Sequence, residues 1–190
     1  MQLRDSGMPD ERYWETLFDV PRVLSRLGID GELADVVELG CGYGTFTLPI
    51  ARKVSGKIFT FDIDPAMVAR TKERCRSAGL VNVDCRERDV VEQGFGMAGN
   101  ADAVLLFNIL HCENPQSLLE QAAAAIRAQG WLFVIHWRFD AETPRGPSLD
   151  IRPRPDQIVD WARQTGWIPQ GEPIDLPPWH YGLKFRRSSM

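Results

Sequence analysis

The fold is decided by residues 36–45, which read Val36-Val37-Glu38-Leu39-Gly40-Cys41-Gly42-Tyr43-Gly44-Thr45. An apolar run of strand length passes into three glycines at alternate positions and then into a helical pattern. Glycine lets the chain bend sharply and lets a ligand lie against bare backbone, and the start of a helix offers free N–H groups. The stretch therefore predicts a strand-to-helix turn with a ligand above it.

Short apolar runs rich in β-branched residues alternate with longer helical patterns from Asp35 onward, which is typical of βαβ units around a parallel sheet. Strands are predicted at 35–39, 57–61, 82–86, 103–107 and 130–136. Helices between them are predicted at 44–54, 65–78 and 116–128. Asp64 before Pro65, and Asn114 before Pro115, are N-cap signals for the last two of these helices.

The C-terminal part has a different pattern. Four prolines within 140–155 indicate a long loop, and the helical spacing that follows ends at Gly166. Strands are then predicted at 167–176 and 181–187, joined by a turn at Pro177-Pro178. So short a connection cannot be a parallel crossover, so this last pair is predicted to be antiparallel.

Length and composition limit the class of protein. The chain has 190 residues, of which 44% are hydrophobic and 25% charged, which predicts a single folded domain over 1–190. No stretch approaches the roughly 18 apolar residues of a membrane span, so a cytoplasmic protein without a membrane partner is expected. The net charge of -4 disfavours nucleic acid as a partner. The composition predicts no particular oligomeric state.

The N-terminal segment belongs to no βαβ unit, although residues 10–27 have a helical pattern. Residues 8–28 are therefore predicted to form an N-terminal helical cap or lid over the carboxyl edge of the sheet. Packing of this helix against the outer face of the sheet is an equal alternative, because Trp14 and Phe18 at i and i+4 would serve either purpose.

No metal is predicted. The four cysteines form no CxxC pair, which is typical of reduced thiols rather than of a zinc site. His111, Cys112 and Glu113 are adjacent in the chain, and adjacent residues rarely converge on one ion.

The spacing of the glycines bears on the type of ligand. A dinucleotide fingerprint would place its third glycine at position 45, where this chain has Thr45. Glu38, two residues before the turn, would repel a pyrophosphate but would suit a cofactor that carries an ammonium group and a sulfonium cation. S-adenosylmethionine fits that description.

Three short motifs resemble those of class I S-adenosylmethionine-dependent methyltransferases of the small-molecule type: E-L-G-C-G-Y-G-T at 38–45, F-D-I-D-P at 61–65 and R-D-V at 88–90. The resemblance covers roughly residues 35–137. It implies a Rossmann-like, doubly wound α/β fold with a seven-stranded, mostly parallel sheet. The implied strand order is 3-2-1-4-5-7-6 with strand 7 antiparallel, which agrees with the antiparallel final pair.

The motifs also suggest which residues contact the cofactor. Asp62 ends the second strand 22 residues after Gly40 and is expected to accept hydrogen bonds from both ribose hydroxyls. Asp64 competes for that role but is already explained as a helix cap, whereas Asp62 has no evident structural role. The resemblance implies that Ile63 lies against the adenine ring. The other contacts expected in the glycine turn are Glu38, Gly40, Cys41, Gly42 and Gly44.

Three further cofactor contacts follow from the resemblance alone. It implies that Asp89 accepts a hydrogen bond from the adenine amino group and that the backbone N–H of Val90 meets a ring nitrogen. Asn108, after the fourth strand, resembles the position whose backbone lies near the methionine part of the cofactor.

His111 is the candidate catalytic residue, because an imidazole can remove a proton from a nucleophile at neutral pH. An incidental polar residue in a helix-entry loop is the alternative. His136 ends the fifth strand, where a substrate wall and plain packing are equally good interpretations. His180 is expected on a solvated terminal strand.

Together these features predict an enzyme that transfers the methyl group of S-adenosylmethionine to a small-molecule substrate by in-line displacement. The residues 108–111 depart from the proline-aromatic tetrad of similar enzymes that methylate amino groups of nucleic acids and proteins, which further disfavours such substrates. One alternative is a non-catalytic S-adenosylmethionine-binding regulator, and a weaker one is an NAD-dependent oxidoreductase.

Overall fold

A single mixed sheet forms the centre of the computed structural model, which describes residues 8–29 and 31–189. The strands are β1 (Val36–Leu39), β2 (Ile58–Asp62), β3 (Val83–Glu87), β4 (Ala101–Phe107), β5 (Ile126–Trp137), β6 (Trp167–Pro169), β7 (Ile174–Leu176) and β8 (His180–Arg187). Their order across the sheet is β3-β2-β1-β4-β5-β8-β6.

This order confirms the predicted topology. The first five strands pair in parallel, and β8 is antiparallel to β5. The strand predicted at 167–176 is split into β6 and β7, which pair with different parts of β8. The break contains Gly171, whose φ is +80°, and Pro173, which has no N–H to donate to a ladder. The sheet therefore has one short strand more than predicted.

Helices cover both faces of the sheet. They are α1 (Glu11–Glu15), α2 (Val20–Leu27), α3 (Thr47–Ala51), α4 (Pro65–Ser77), α5 (Val90–Gln93), α6 (Pro115–Ala125) and α7 (Pro155–Gln164). The predicted N-caps of α4 and α6 are confirmed: Asp64 accepts from Ala66 N and Asn114 accepts from Ser117 N. The predicted helix at 10–27 is two helices, because Asp19 caps α2 and ends the continuity with α1.

The helix predicted at 116–128 is too long. Ile126 is fully buried, has an extended backbone and pairs with Ala101 of β4, so β5 begins where the last turn of the helix was predicted. A buried β-branched side chain beside a neighbouring strand outweighs the helical pattern before it.

Alternate residues along the strands face opposite cores. One core joins Val36, Ile58 and Leu105 to the buried side chains of α2 and α3, and the other joins Val37 and Leu106 to those of α6 and α7. A parallel sheet that is covered on both faces leaves the carboxyl ends of its strands as the open edge for ligands. Within 8–29 and 31–189, no helix is both long and apolar enough to cross a membrane.

Candidate active site

The glycine turn after β1 has the backbone that its sequence predicts. Gly40, Gly42 and Gly44 have φ values of +86°, +50° and +75°, in the left-handed region that favours glycine. The thiol of Cys41 is buried 3.8 Å from the thiol of Cys85, so the backbone of Cys41 is the part that a ligand would meet. Thr45 Oγ1 is buried and has no hydrogen-bond partner among the described residues.

Glu38 lies beneath this turn, and only 3% of it is exposed. Its Oε2 accepts hydrogen bonds from Thr47 Oγ1 at 2.6 Å and from Thr60 Oγ1 at 2.7 Å. Burial raises the pKa of this carboxyl group to about 7, against a smaller lowering by the two hydroxyls. Glu38 thus ties β1 to β2 and to the start of α3, a structural role that the sequence did not reveal.

Asp62 also has a structural role, contrary to the sequence-based expectation. Its Oδ2 accepts from Gly42 N at 3.0 Å and its Oδ1 accepts from Asp64 N at 3.0 Å, and 7% of the residue is exposed. The carboxylate therefore braces the glycine turn from the neighbouring strand. A carboxylate has about four lone-pair sites, so these two bonds leave acceptor capacity for a ribose.

Ile63 and Asp89, two of the three predicted adenine residues, line one cavity. It has a volume of about 390 Å³ and lies past the ends of β2 and β3, lined by Ile63, Glu87, Arg88, Asp89, Glu92 and Gln93. Asp89 also caps α5, where its Oδ1 accepts from Glu92 N at 3.2 Å. The side chain of Val90 is buried in the core, so only its backbone could contact a ligand.

The polar residues after β4 lie at the carboxyl edge of the sheet. Asn108 has a left-handed φ of +58° and its N–H donates to Ile135 O at 2.7 Å, which holds the residue against the end of β5. Its Nδ2 lies 3.4 Å from His180 Nε2, and its Oδ1 is buried with no hydrogen-bond partner in the part of the chain that the structure describes. Asn108 therefore presents an amide at the point where β4 and β5 end.

All three histidines of the chain gather at this edge. The rings of His111 and His136 are 5.5 Å apart, and both His111 Nδ1 and His136 Nε2 are buried without a hydrogen-bond partner within 8–29 and 31–189. Burial lowers the pKa of His111, and it lowers the pKa of His136 and of His180 to about 3. The three imidazoles are neutral at pH 7 and can accept protons or hydrogen bonds.

The placement of His180 on a solvated strand was wrong. The residue is 2% exposed, because β8 lies inside the sheet between β5 and the two short strands β6 and β7. The position of β8 in the sheet decides this burial, and the residues next to His180 in the chain do not predict that position.

Aromatic rings pack beside these polar groups. Phe18 lies 4.6 Å from His180 and 5.2 Å from Phe46, and Trp137 lies 4.2 Å from His180, measured between ring centroids. The aromatic cluster consists of Trp14, Phe18, Phe46, Phe107, Trp137 and His180.

The segment 8–18 brings part of this cluster across the open edge. At one end Tyr43 OH donates to Pro9 O at 2.6 Å, so the segment touches the glycine turn. At the other end Tyr13 OH donates to Pro144 O at 3.2 Å, in the loop after β5. By contrast, α2 packs its buried side chains on the outer face of the sheet.

Ion pairs fasten the same segment to α4. Arg74 contacts Glu11 at 3.1 Å and Glu15 at 2.8 Å, and it also donates to Tyr43 O at 2.8 Å. Arg70 contacts Glu11 at 2.8 Å. Arg74 therefore links the segment 8–18 directly to the backbone of the glycine turn.

The chain belongs to the methyltransferase-domain family, which matches residues 36–130, half of the sequence. Over 62 residues it is 37% identical to a 23S rRNA (uracil(1939)-C(5))-methyltransferase, RlmD, of Stenotrophomonas maltophilia. That match covers 33% of this chain but only 14% of the relative, so the chain spans a small part of that protein's length.

Solved structures give the same fold. A SAM-dependent methyltransferase from Aquifex aeolicus superposes with a TM-score of 0.81 at 21% identity, over 94% of each chain. The N-terminal domain of EvdMO1 with SAH bound superposes with a TM-score of 0.62 at 22% identity, over 90% of this chain and 79% of that one.

The chain therefore contains a methyltransferase domain, and S-adenosylmethionine is the cofactor that its sequence predicted. The residues present fit that cofactor: a turn of left-handed glycines, a buried acid at the end of β2, and a cavity lined by Ile63 and Asp89. Membership of this family favours methyl transfer over the alternative of an NAD-dependent oxidoreductase, while the alternative of a non-catalytic S-adenosylmethionine-binding regulator stays a prediction.

Proposed function

We propose that this methyltransferase acts on a small-molecule acceptor that is enclosed at the carboxyl ends of β4 and β5. The observation that carries the proposal is a set of buried polar atoms at this edge that have no hydrogen-bond partner among the described residues: Asn108 Oδ1, His111 Nδ1 and His136 Nε2. Buried polar atoms in native proteins are normally hydrogen-bonded. Three of them at one edge of the sheet are accounted for by a polar ligand.

The segment 8–18 supports a small acceptor rather than a polymer. It crosses the edge from the glycine turn to the loop after β5 and leaves Trp14 and Phe18 against Trp137. An acceptor beneath this segment is shielded from water, which favours methyl transfer by holding the nucleophile close to the methyl group. A nucleic-acid strand would have to displace the segment.

The cofactor contacts are proposed as the motifs predict them. Glu38 and the glycine turn at 40–44 hold the methionine part together with Asn108, Asp62 holds the ribose, and Ile63, Asp89 and Val90 hold the adenine. When bound, S-adenosylmethionine would supply a methyl group on a sulfonium: a nucleophile would attack the methyl carbon in line with the carbon–sulfur bond, and S-adenosylhomocysteine would leave.

His111 is proposed as the proton acceptor for the nucleophile. Its pKa is lowered by burial, so the imidazole is neutral at pH 7, and its Nδ1 has a free lone pair or proton position at the edge. His136 is 5.5 Å away and orients the acceptor by a further hydrogen bond. The aromatic cluster excludes water from the opposite side.

Transfer of a labelled methyl group tests the proposal. The protein is incubated with radiolabelled S-adenosylmethionine and with cell extract separated into small-molecule, RNA and protein fractions. Label is expected in the small-molecule fraction, and it should be absent with the matched variant Gly42→Val, whose glycine turn cannot form. Because the RlmD relative is an rRNA methyltransferase, label in RNA is the informative contrary result, and it would reject the small-molecule assignment.

A further inference from the structure

Arg152 is a buried cation in the loop between β5 and α7. Only 7% of it is exposed. Its Nε donates to Pro147 O at 2.8 Å, and its Nη1 donates to Arg138 O at 2.8 Å and to Ala141 O at 3.3 Å. These partners are all backbone carbonyls. Among residues 8–29 and 31–189, no carboxylate pairs with Arg152, and its Nη2 has no hydrogen-bond partner.

Two neighbouring arginines, Arg138 and Arg154, differ from Arg152 in having carboxylate partners. Arg138 pairs with Asp140 at 3.0 Å and Arg154 pairs with Asp156 at 3.3 Å, and both arginines are at the surface. Asp140 and Asp156 therefore neutralise two exposed arginines, while the buried one has no carboxylate partner among the described residues. A guanidinium does not lose its proton in proteins, and a buried charge is normally paired with an opposite one.

The cation lies beside the proposed acceptor site. Arg152 Nη1 donates to the carbonyl of Arg138, two residues after His136, and the carbonyl of the next residue, Pro153, accepts from Tyr181 OH at 2.6 Å. The ring of Tyr181 lies 6.1 Å from the ring of His136. The charge of Arg152 is also, after burial, one of the causes that lower the pKa of the three histidines at this edge. The site combines one unpaired positive charge with neutral polar atoms that have no partners of their own.

We propose that Arg152 is the specificity-determining residue of the acceptor site and that it pairs, through Nη2, with a carboxylate of the acceptor. The inference rests on the proposed function, because it places the nucleophile of the same molecule against His111 and His136. A carboxylate is favoured over a phosphate since one negative charge balances the single cation, whereas a phosphate dianion would leave a net negative charge among neutral imidazoles.

Matched pairs of small ligands test this inference on the whole protein. Acetate, butyrate, phenylacetate and benzoate are compared with their primary amides and with phenyl phosphate, by thermal shift and by calorimetry in saturating S-adenosylhomocysteine. At least one carboxylate is expected to raise the Tm and to bind at least 10-fold more tightly than its amide. Equal effects of acid and amide, no effect of any carboxylate, or an effect of phenyl phosphate alone would overturn the proposal.

Variants separate charge from packing. Arg152→Gln should abolish the preference for the carboxylate, while Arg152→Lys should keep part of it because the charge remains. Arg154→Gln, which removes the exposed neighbour, is the control and should keep the whole preference. If Arg152→Gln does not fold, the native protein and Arg152→Lys still test the inference. The inference is rejected if neither protein binds a carboxylate more tightly than the matching amide.

Binding of S-adenosylhomocysteine is measured in the same samples, so that two failures are distinguished. If the native protein shows no preference for a carboxylate but binds S-adenosylhomocysteine and methylates small molecules, only the inference about Arg152 is overturned. Methyl transfer found only in the RNA fraction overturns the proposed function on which it rests.

Discussion

The carboxylate of Asp62 at the end of β2 accepts a hydrogen bond from the backbone N–H of Gly42 across 3.0 Å. Two motifs that lie 20 residues apart in the chain are therefore one structural unit. The acid that is predicted to bind the ribose also holds the glycine turn in shape. A substitution at this position is expected to affect binding and stability together.

Replacement of the two neighbouring aspartates should separate their roles. Asp62→Ala is expected to weaken binding of S-adenosylhomocysteine by about 2 kcal/mol or more, roughly 30-fold in Kd, because a charged acceptor is lost. It should also lower the free energy of unfolding, since the N–H groups of Gly42 and Asp64 lose their acceptor. Asp64→Ala should cost about 1 kcal/mol of stability through the lost cap of α4 and leave Kd nearly unchanged. Calorimetry and urea unfolding measure both quantities, and the opposite pattern would exchange the two assignments.

The stability of the protein should depend on the ionisation of Glu38. Burial raises the pKa of Glu38 from 4.5 to about 7, so the folded protein holds a proton that the unfolded chain has already released. The free energy of unfolding should fall by about 3 kcal/mol as the pH rises from 4.5 to 7 and stay low above that range. Glu38→Gln keeps an acceptor for Thr47 and Thr60 but cannot ionise. This variant is expected to be more stable than the native protein at pH 8 and similar to it at pH 5.

Urea unfolding at the two pH values checks this prediction, and a stability difference that is independent of pH would contradict it. The same variant tests the proposed contact between Glu38 and the ammonium group of the cofactor. Weaker binding of S-adenosylhomocysteine to Glu38→Gln at pH 8 is expected from the loss of charge. An unchanged Kd would assign Glu38 to the fold alone.

The sequence could predict those features that depend on residues close together in the chain. The turn at 40–44 and the N-cap of α4 depend only on residues within a few positions, so the glycines and Asp64 were enough to predict them. The burial of His180, and the absence of a carboxylate beside Arg152 in the described part of the chain, arise from elements that meet only after folding. The second role of Asp62 was missed for the same reason, because Gly42 lies on another strand-to-helix turn.

Proton acceptance by His111 predicts a pH profile with a definite sign. Burial lowers its pKa below 6.5, so the imidazole stays neutral and active below that pH, and the rate should fall only in more acidic buffer as the base is protonated. His111→Gln is expected to lower kcat by about 10²- to 10⁴-fold and to remove this acidic limb. Cys112→Ala is the matched control in the same loop and should retain both kcat and the limb. A His111→Gln variant with native kcat would leave His111 without a catalytic role.

The segment 8–18 and helix α2 should respond differently to removal, because one crosses the open edge and the other belongs to the core. Leu24 and Leu27 of α2 are at most 1% exposed, so removal of residues 1–27 is expected to lower the Tm strongly or to cause aggregation. Removal of residues 1–17 keeps Asp19, which caps α2, and takes away the ion pairs to Arg70 and Arg74. Those pairs are partly exposed and contribute little to stability. Within 8–17 the one buried side chain that is lost is Leu17, worth about 2 kcal/mol, so this shorter deletion should stay folded with a Tm lowered by a few degrees.

If the segment 8–18 is a lid, the shorter deletion should lose most of its methyl transfer while the protein keeps its Tm within a few degrees. The reason is that water then reaches the acceptor and the nucleophile is held less firmly near the methyl group. Trp14→Ala is the matched point variant: it removes the ring that packs on Phe18 and Trp137 while leaving the hydrogen bonds of Pro9 and Tyr13 in place, and it should lower activity in the same direction. Methyl transfer at the native rate by the protein that lacks residues 1–17 would show that the segment packs over the edge without gating it.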